Sequence, residues 1–376
     1  MTTTTEALGR VEGDPPDAGA ERAERRRDWS VVLMPWLLSR LISVGTLWIT
    51  AHDQLGRWSA DAFYMWDGVW YLRIATWGYG GPLLNHEVQT PWPFFPLLPG
   101  AGRLIHETGV PLWIGMALLT NLSFLVALAG VHRLARSIRM PHSQARFAVW
   151  VVAFFPASVV FSMIYPSSLF LAGMVWAFVF VAERRFGWAA LAATVVVLVR
   201  PNGFLFLGPL AVAVMWPADR TAWRSQVRDL LVTCGPPFLA LLGWLALMQR
   251  WAGDAFVFYR AKAGWDEVQL NEFLADPVIG VTVHALVGLG GVLAVVLAAR
   301  KLPVAWTLLA AVLILPSLAL GIIGLGRYTN EAFPVAMAMA VLAGRHANRL
   351  LPVVVAVGTV GMVVWANGIG RLIIVP

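Results

Sequence analysis

Long apolar runs separated by short polar segments dominate this chain from residue 29 onward. Runs of about 20 apolar residues are long enough to cross a bilayer as helices. The pattern therefore predicts an all-α polytopic membrane protein with about 11 transmembrane helices. The predicted spans are residues 29–51, 111–131, 147–164, 167–182, 187–200, 203–217, 229–250, 279–299, 302–323, 331–344 and 350–367.

Positive charge between these runs predicts the topology. Lys and Arg concentrate in segments 132–146, 183–185, 219–228, 300–301 and 345–349. All five fall on one side of the predicted bundle, and such segments face the cytoplasm. The chain is expected in the plasma (inner) membrane with its amino terminus inside. Residues 1–28 are expected to form a disordered cytoplasmic tail, followed by one transmembrane domain, 29–376.

The other side receives two long segments, 52–110 and 251–278, and short turns at 165–166, 200–202 and 327–330. These are the predicted extracytoplasmic parts, and chemistry is expected there. Segment 52–110 is too rich in Trp, Pro and Phe for a solvated linker, so it is predicted to form a structured lid on the bilayer. The short runs on either side of 200–202 predict a hairpin whose apex stops below the surface and lines a cavity.

Composition supports the membrane class and excludes two others. The chain is 59% hydrophobic and only 13% charged, with a mean hydropathy of +0.69, whereas soluble domains carry roughly 25% charge. The net charge of +7 comes from basic residues in short clusters, which argues against a nucleic-acid-binding face. Cys234 is the sole cysteine, so the chain has neither an internal disulfide nor a cysteine pair for zinc.

The half-polar stretch Tyr64–Gly80 carries the first candidate residue. Apolar positions recur there at helical spacing, which predicts a helix from Gly68 with its aromatic face in the membrane interface. Asp67 would be the N-cap, its carboxylate accepting hydrogen bonds from the amides of Val69 or Trp70. The apolar positions are Phe63, Trp66, Trp70, Ile74 and Trp77. Arg40, inside the first span, is expected to face the bundle interior and to have a partner there.

Four stretches in order resemble the GPI mannosyltransferase II (PIG-V-like) family, multi-span enzymes of the GT-C superfamily. They are WDGVWYLRIATWGYG (66–80) with PFFPLLP (93–99), FFPASVVFSMIYPSSLF (154–170), LVRPNG (198–203) and GRYTNEAFP (326–334). The eukaryotic pattern has His where this chain has Trp70, so no role of that histidine carries over. The resemblance implies a GT-C-like fold with a structured first extracytoplasmic loop.

The resemblance also implies a reaction. Mannose, or another hexose, would pass from a polyprenyl-phosphate sugar to a lipid-linked or glycan acceptor on the extracytoplasmic face, with inversion. A general base near C1 is needed to activate the acceptor hydroxyl, and the carboxylate of Asp67 is the candidate. Cations must hold the departing phosphate. The outer-side candidates are Arg73, Arg200, Arg260, Lys262 and Arg327.

Further candidates complete the predicted site. Trp66, Trp70, Tyr71, Asn202 and Tyr328 are candidate substrate-binding residues. Glu87 and Tyr165 are weaker candidates. The rings Phe256, Phe258, Tyr259 and Trp265 beside Arg260 and Lys262 suit a polyprenyl tail joined to a phosphate head. His52, His86 and His106 match no ligand spacing, so no metal and no other cofactor is predicted, although a divalent metal stays open.

Structural interpretations stand beside these roles. Asp67 could be a helix cap alone, Arg200 and Asn202 a hairpin apex, and Arg327 with Tyr328 a helix-end anchor. Arg260 and Lys262 also fit an aromatic belt with snorkelling cations. The main functional alternative is a transporter or flippase for polyprenyl-phosphate lipids, with Asp67 as a coupling acid. An assembly partner of another glycan enzyme is a third hypothesis. The one-sided elaboration of the loops favours the enzyme.

Overall fold

The computed structural model describes residues 18–80, 89–216, 223–261 and 279–376. All regular structure within these ranges is helical, which confirms the predicted all-α class. The α-helices are α1 (Ala18–Leu55), α2 (Asp61–Tyr64), α3 (Gly68–Trp77), α4 (Leu97–His106), α5 (Leu112–Ser137), α6 (His142–Ala153), α7 (Ser167–Ala182), α8 (Phe186–Val199), α9 (Leu207–Met215), α10 (Trp223–Ala252), α11 (Val257–Arg260), α12 (Ile279–Ala298), α13 (Val304–Leu320), α14 (Leu325–Glu331), α15 (Phe333–Ala343) and α16 (Ala347–Gly370).

Fewer helices have crossing length than the sequence predicts. Five stretches of the described chain are long and apolar enough to span a membrane, or six if α6 and the 3₁₀ helix Pro156–Ser162, bent by 71°, form one span. Four further apolar helices are shorter, so length and composition do not confirm eleven. Helix α1 begins at Ala18, within segment 1–28 that the sequence assigns to a cytoplasmic tail. Residues 1–17 lie outside the described ranges.

Helix α7 lies at the centre of the bundle. It packs against α5 on one side and α8 on another, and most of its residues are buried. Helix α10 covers α8, α1 packs on α16, and α12 packs on α15. Helix α10 has only 17% of its most apolar window buried, so its exposed leucines and aromatic residues form an outer surface suited to lipid.

Three of the five basic segments meet at one end of this bundle. Arg133 Nε lies 2.6 Å from Glu183 Oε1, and Arg184 Nη2 lies 3.5 Å from Asp229 Oδ2 near the start of α10. Arg146 donates to Asn348 at 2.9 Å. Segments 132–146, 183–185 and 345–349 therefore lie at the carboxyl end of α7. Its 16 residues extend about 24 Å, which separates these contacts from the turn that precedes its first residue.

Arg40 finds its partners inside the bundle, as predicted. It is only 5% exposed. Its Nη1 donates to Ser162 Oγ at 2.7 Å and to the Ser158 carbonyl at 3.0 Å, and its Nη2 donates to Ser158 Oγ at 2.6 Å. The guanidinium also lies 4.5 Å from the centre of the Phe124 ring. The 3₁₀ helix Pro156–Ser162 supplies the polar partners that the sequence alone did not identify.

The turn Arg200–Gly203 joins α8 to the 3₁₀ helix Pro201–Phe206. Pro201 suits the first position of that helix because its missing N–H would be unpaired there. A Cβ on Gly203 would lie 2.2 Å from the Val196 carbonyl oxygen, so only glycine allows this close approach. The predicted turn is present, but the two runs do not form a simple hairpin. Helix α8 packs on α7 and α10, whereas α9 packs on α10 and α13.

We expect Gly203→Ala to destabilise the protein by about 1–3 kcal/mol, because the added methyl group meets main-chain atoms that cannot move aside as a side chain would. The measurement is the thermal unfolding midpoint of detergent-purified protein, followed by tryptophan fluorescence. Gly208→Ala is the matched control, since a Cβ at Gly208 meets no atom within 4 Å. Equal midpoints for the two variants would contradict the close-packing account.

Candidate functional site

Asp67 lies at the entrance to helix α3, as predicted. The helix begins at Gly68 with Asp67 as its N-cap residue, but the carboxylate makes no side-chain capping hydrogen bond. The predicted bonds to the amides of Val69 or Trp70 are therefore wrong, and the 3.0 Å bond from the Trp70 amide goes to the Asp67 main-chain carbonyl. The carboxylate is 31% exposed, so it is accessible to a substrate.

The residue before Asp67 has an unusual backbone conformation. Trp66 has φ = 59°, in the left-handed region that residues with a Cβ seldom adopt. Such a conformation costs about 1–3 kcal/mol and persists only where the surrounding structure fixes it. The indole Nε1 of Trp66 donates to the Ile369 carbonyl at the end of α16, at 3.3 Å. The carboxyl-terminal helix therefore helps to position the residue that aims Asp67.

Tyr165 fixes the main chain of Asp67 from the other side. The Asp67 N–H donates to the Tyr165 hydroxyl oxygen at 2.9 Å. Ile164 N–H donates to the Phe63 carbonyl at 2.6 Å, which joins the two segments directly. The ring of Tyr165 is 1% exposed. The turn before α7 and the turn before α3, distant in sequence, thus form one unit, and Tyr165 is a stronger candidate than its sequence indicated.

Arg327 faces the Asp67 carboxylate from helix α14. Its Nη1 lies 3.9 Å from Asp67 Oδ2, at the outer limit of an ion pair. The guanidinium contacts two aromatic rings, 5.6 Å from the centre of Tyr165 and 5.2 Å from that of Tyr328. Its Nε is buried and has no hydrogen-bond partner among the described residues. A cation placed next to the acid therefore keeps an unused donor.

Arg200 and Glu331 form a buried ion pair beside this contact. Arg200 Nη1 lies 2.5 Å from Glu331 Oε2, and the two side chains are 7% and 0% exposed. The Arg200 guanidinium lies 4.8 Å from the centre of the Tyr328 ring and 5.3 Å from that of Phe170. Tyr328 thus contacts the guanidinium groups of both Arg200 and Arg327. The ion pair ties the turn after α8 to the end of α14.

Tyr71, in the first turn of α3, is near enough to the same charges for them to affect its pKa. Its side chain is 5% exposed, and its ring packs edge-on against Phe94 at 5.1 Å. Burial raises the pKa of the Tyr71 hydroxyl, and the Asp67 carboxylate raises it further, while Arg200 and Arg327 act in the opposite direction. Tyr71 is therefore a neutral hydroxyl next to the cluster. Asp67, Tyr71, Tyr165, Arg200, Arg327, Tyr328 and Glu331 are called the charged cluster below.

The aromatic face of α3 packs against protein, which corrects the predicted membrane-interface role. Trp70 is 3% exposed and stacks on Phe94 with ring centres 5.7 Å apart, and Ile74 is also buried. Trp77 alone on this face is strongly exposed. Arg73, one turn after Trp70, lies 5.7 Å from its ring. The Nη2 atom of Arg73 is buried and has no hydrogen-bond partner among the described residues.

Other predicted residues lie apart from the charged cluster or outside the described ranges. Arg260 pairs with Asp254 and is 69% exposed, and no described contact joins it to the charged cluster. Asn202 is half-buried in the 3₁₀ helix after Arg200. Lys262, Trp265, Glu87 and His86 fall in the undescribed segments. Among described residues, no group of three or more His, Cys, Asp or Glu side chains is placed to hold a metal.

A second aromatic cluster joins the two long segments. Tyr79 stacks on Trp92 at 5.5 Å and packs against Trp244 of α10 at 5.2 Å. Phe95 packs edge-on against Trp244 and Phe258 at 5.9 and 5.5 Å. The parts of segment 52–110 that the structure describes are therefore held by burial, as the lid hypothesis requires. Phe256 and Tyr259 in segment 251–278 are exposed.

Two cavities lie elsewhere in the described bundle. One is an apolar groove along α4 and α5, with Ile105, Leu118 and Leu122 in its walls, and the other lies beside Trp216 and Trp306. Neither contains a residue of the charged cluster, so the cavity predicted at the turn 200–202 is not among them.

Glu331 is the cluster member that sequence reasoning missed. It belongs to GRYTNEAFP, of which only the Arg-Tyr and Phe-Pro pairs were considered. The signal was present, because an acid between two apolar runs of a membrane protein is costly unless it is paired. The same argument correctly placed Arg40.

We expect Tyr165→Phe to lower the turnover of the proposed reaction about tenfold with little change in KM, because Asp67 loses the acceptor for its N–H and its carboxylate is then less well aligned. Tyr64→Phe is the matched control. The Tyr64 hydroxyl donates to Asp61, and that bond lowers the pKa of the Asp61 carboxyl. No described contact joins Asp61 to the charged cluster. Steady-state kinetics of both variants test the difference. Equal losses in the two variants would contradict a specific role of Tyr165.

Comparison with known proteins gives a distant structural similarity. No protein-family model matches the chain, and no curated protein does. The chain is similar to the oligosaccharyltransferase of Archaeoglobus fulgidus in its complex with zinc and sulfate, with 14% identity and a TM-score of 0.49 over 91% of this chain and 53% of the other. The apo form of the same protein is 13% identical, with a TM-score of 0.49 over 90% of this chain and 56% of the other. The complex of the Archaeoglobus fulgidus enzyme with an inhibitory peptide and a dolichol-phosphate is 14% identical, with a TM-score of 0.48 over 92% of this chain and 56% of the other.

The chain thus spans little more than half the length of those structures. Because identities are 13–14% and the TM-scores lie below 0.5, no residue role or activity is transferred from them to this chain.

Proposed function

We propose that this protein is an integral-membrane glycosyltransferase of the GT-C type that moves a hexose, mannose in the form we favour, from a polyprenyl-phosphate sugar to a lipid-linked or glycan acceptor. The observation that carries the proposal is the pairing of Asp67 with Arg327, at 3.9 Å. It brings together a partly exposed acid and a cation with an unused donor. These are the two groups that sugar transfer from a phosphate requires.

The proposed reaction is a single displacement at the anomeric carbon. The Asp67 carboxylate takes the proton of the acceptor hydroxyl as its oxygen bonds to C1 of the sugar. The bond from C1 to the phosphate oxygen breaks, and its electron pair leaves with the polyprenyl phosphate. Configuration at C1 is inverted. Arg327 contacts the phosphate and stabilises the charge that develops on it.

The burial and pairing of the candidate cations favour Arg327 for this contact. Arg200 is committed to Glu331 in the interior, and Arg260 is committed to Asp254 at the surface. Arg73 and Arg327 each keep a buried N–H without a partner among the described residues. Arg327 is the one that lies beside Asp67, and Arg73 sits farther along α3, next to Trp70. We assign Arg73 to a secondary contact with the donor.

The charged cluster also lies at the end of α7 away from the basic segments. Tyr165 precedes the first residue of α7, and Glu183, which contacts Arg133, follows its last. With the basic segments in the cytoplasm, the reaction would take place at the extracytoplasmic face of the plasma membrane. Donor and acceptor would then enter from the outer leaflet.

The test is an assay of membranes with and without this protein, each incubated with a panel of labelled polyprenyl-phosphate hexoses. We expect label to appear in a new lipid or glycan product only where the protein is present, and mannose to be the preferred sugar. Mass spectrometry of the product identifies the acceptor. If no hexose is transferred and reconstituted protein instead moves polyprenyl phosphate across liposomes, the transporter hypothesis replaces the enzyme.

A further inference from the structure

The Arg200–Glu331 pair has features that a substrate-binding arginine does not need. Both side chains are almost fully buried, and Nη1 and Oε2 are 2.5 Å apart. The guanidinium also contacts the rings of Phe170 and Tyr328. A donor phosphate could reach this cation only by displacing one of these contacts. The other oxygen, Glu331 Oε1, is buried without a hydrogen-bond partner among the described residues.

Helix α14 depends on this pair for its position. The helix has only seven residues, too few to be stable alone. Near its start, the Gly326 N–H donates to His284 Nδ1 at 3.2 Å, and at its end Glu331 bonds to Arg200. An acid in the last turn of a helix opposes the helix dipole, so Glu331 needs the positive charge of Arg200 to remain there.

Arg327, which lies opposite Asp67, and Tyr328 are placed between these two anchors. Arg327 and Glu331 are four positions apart on α14 and therefore share one helix face. Tyr328 lies between the guanidinium groups of Arg200 and Arg327, 4.8 and 5.2 Å from its ring centre. A displacement of Arg200 or Glu331 would move Tyr328 and, with it, the group that lies 3.9 Å from the acid.

We propose that Glu331 and Arg200 are a pair of positioning residues, which hold Arg327 and Tyr328 opposite Asp67 and do not themselves bind the donor. This inference rests on the proposed function, since it assigns the phosphate contact to Arg327. Arg200 was predicted from the sequence to bind substrate, and the proposal makes it a positioning residue instead. Glu331, which the sequence prediction did not include, is its partner in that role. The pair then acts through charge balance and hydrogen bonding, which two uncharged amides can partly replace.

The first experiment compares Arg200→Gln, Glu331→Gln and the double variant. Each single change leaves one buried charge without its partner, so we expect a loss of folded protein and at least a tenfold drop in transfer per folded molecule. The double variant removes both charges and keeps amide groups of similar size. We expect it to recover folding and to transfer within about fivefold of the unmodified protein. A double variant no more active than Arg200→Gln would overturn the proposal.

The second experiment separates positioning from a general structural role. Farnesyl phosphate serves as the probe, and its binding to detergent-purified protein is followed by tryptophan fluorescence. We expect Glu331→Gln to weaken binding at least tenfold, and to weaken it less than twofold when Arg327→Gln is already present, because its effect passes through Arg327. Equal effects in the two backgrounds would show that Glu331 acts on stability alone and would overturn the proposal.

The failure of the proposed function would look different. Unmodified protein would then neither bind farnesyl phosphate nor transfer any hexose. If instead the unmodified protein does both, and the double variant binds farnesyl phosphate as weakly as Arg200→Gln does, Arg200 is a phosphate ligand. The proposed function would then stand, and the positioning role alone would be wrong.

Discussion

Replacing Asp67 with Asn is expected to lower sugar transfer by about 10²–10⁴-fold, the range that general-base catalysis contributes. The amide has nearly the same shape as the carboxylate but cannot accept a proton from the acceptor hydroxyl. Its main-chain bond to Tyr165 does not involve the side chain, so the turn before α3 should stay in place. The measurement is initial rate against donor concentration, and we expect kcat to fall far more than KM changes.

Asp53→Asn is the matched control for this variant. Asp53 is an acid of the same segment, 61% exposed and 3.7 Å from His52, and we expect its replacement to leave transfer unchanged. The melting midpoint of Asp67→Asn should stay close to that of the unmodified protein, because the lost ion pair with Arg327 is long, at 3.9 Å, and the Asp67 side chain is 31% exposed. Near-normal transfer by purified Asp67→Asn protein would refute the base assignment.

Local features of the fold followed from the sequence because each rests on neighbouring residues. Helix α3 begins at Gly68, the residue after a potential cap, as predicted. The turn Arg200–Gly203 contains Pro201, whose fixed φ suits the start of a helix, and Gly203, which packs on the Val196 carbonyl seven residues earlier. Arg40 had to be paired, because an isolated charge inside a span is costly. In each case the physical cause lies within a few residues of the feature.

The predictions that were wrong concern side chains whose surroundings are formed by segments distant in sequence. The aromatic face of α3 has the periodicity of an interfacial helix, but the same periodicity serves a helix buried against protein, and Phe94 supplies the surface that covers Trp70. The carboxylate of Asp67 was expected to cap α3, and Arg327 lies opposite it instead. Periodicity identifies which residues share a face, and it does not identify what covers that face.

Most residues of the charged cluster were predicted from the sequence, but the pairings among them were not. Four motifs were expected on one side of the bundle, and contacts join Asp67, Tyr165, Arg200 and Arg327 from all four. From the sequence, all the outer-side cations were equal candidates for the phosphate contact. The structure distinguishes them by burial and pairing, properties that depend on Glu331 and Asp254 as partners. No spacing rule could have assigned those partners.

Replacing Arg327 with Gln is expected to reduce kcat/KM for the donor by about 10²–10³-fold, the loss typical of removing one donor that stabilises transition-state charge. Farnesyl phosphate should bind correspondingly more weakly. Arg327→Lys keeps the charge but loses the planar group that contacts the rings of Tyr165 and Tyr328. We expect it to recover only part of the activity, since lysine acts as a point charge and cannot bind a phosphate in the bidentate manner.

Arg57→Gln is the matched control, because Arg57 is 67% exposed and its partner Asp61 lies outside the charged cluster. Its kinetics should match those of the unmodified protein. Together the three variants separate charge from geometry. Full recovery in Arg327→Lys would mean that a positive potential alone serves the phosphate, and unchanged kinetics in Arg327→Gln would exclude the contact. Partial recovery would indicate that the planar guanidinium matters as well as its charge, as expected if its contacts with the rings of Tyr165 and Tyr328 orient it next to Asp67.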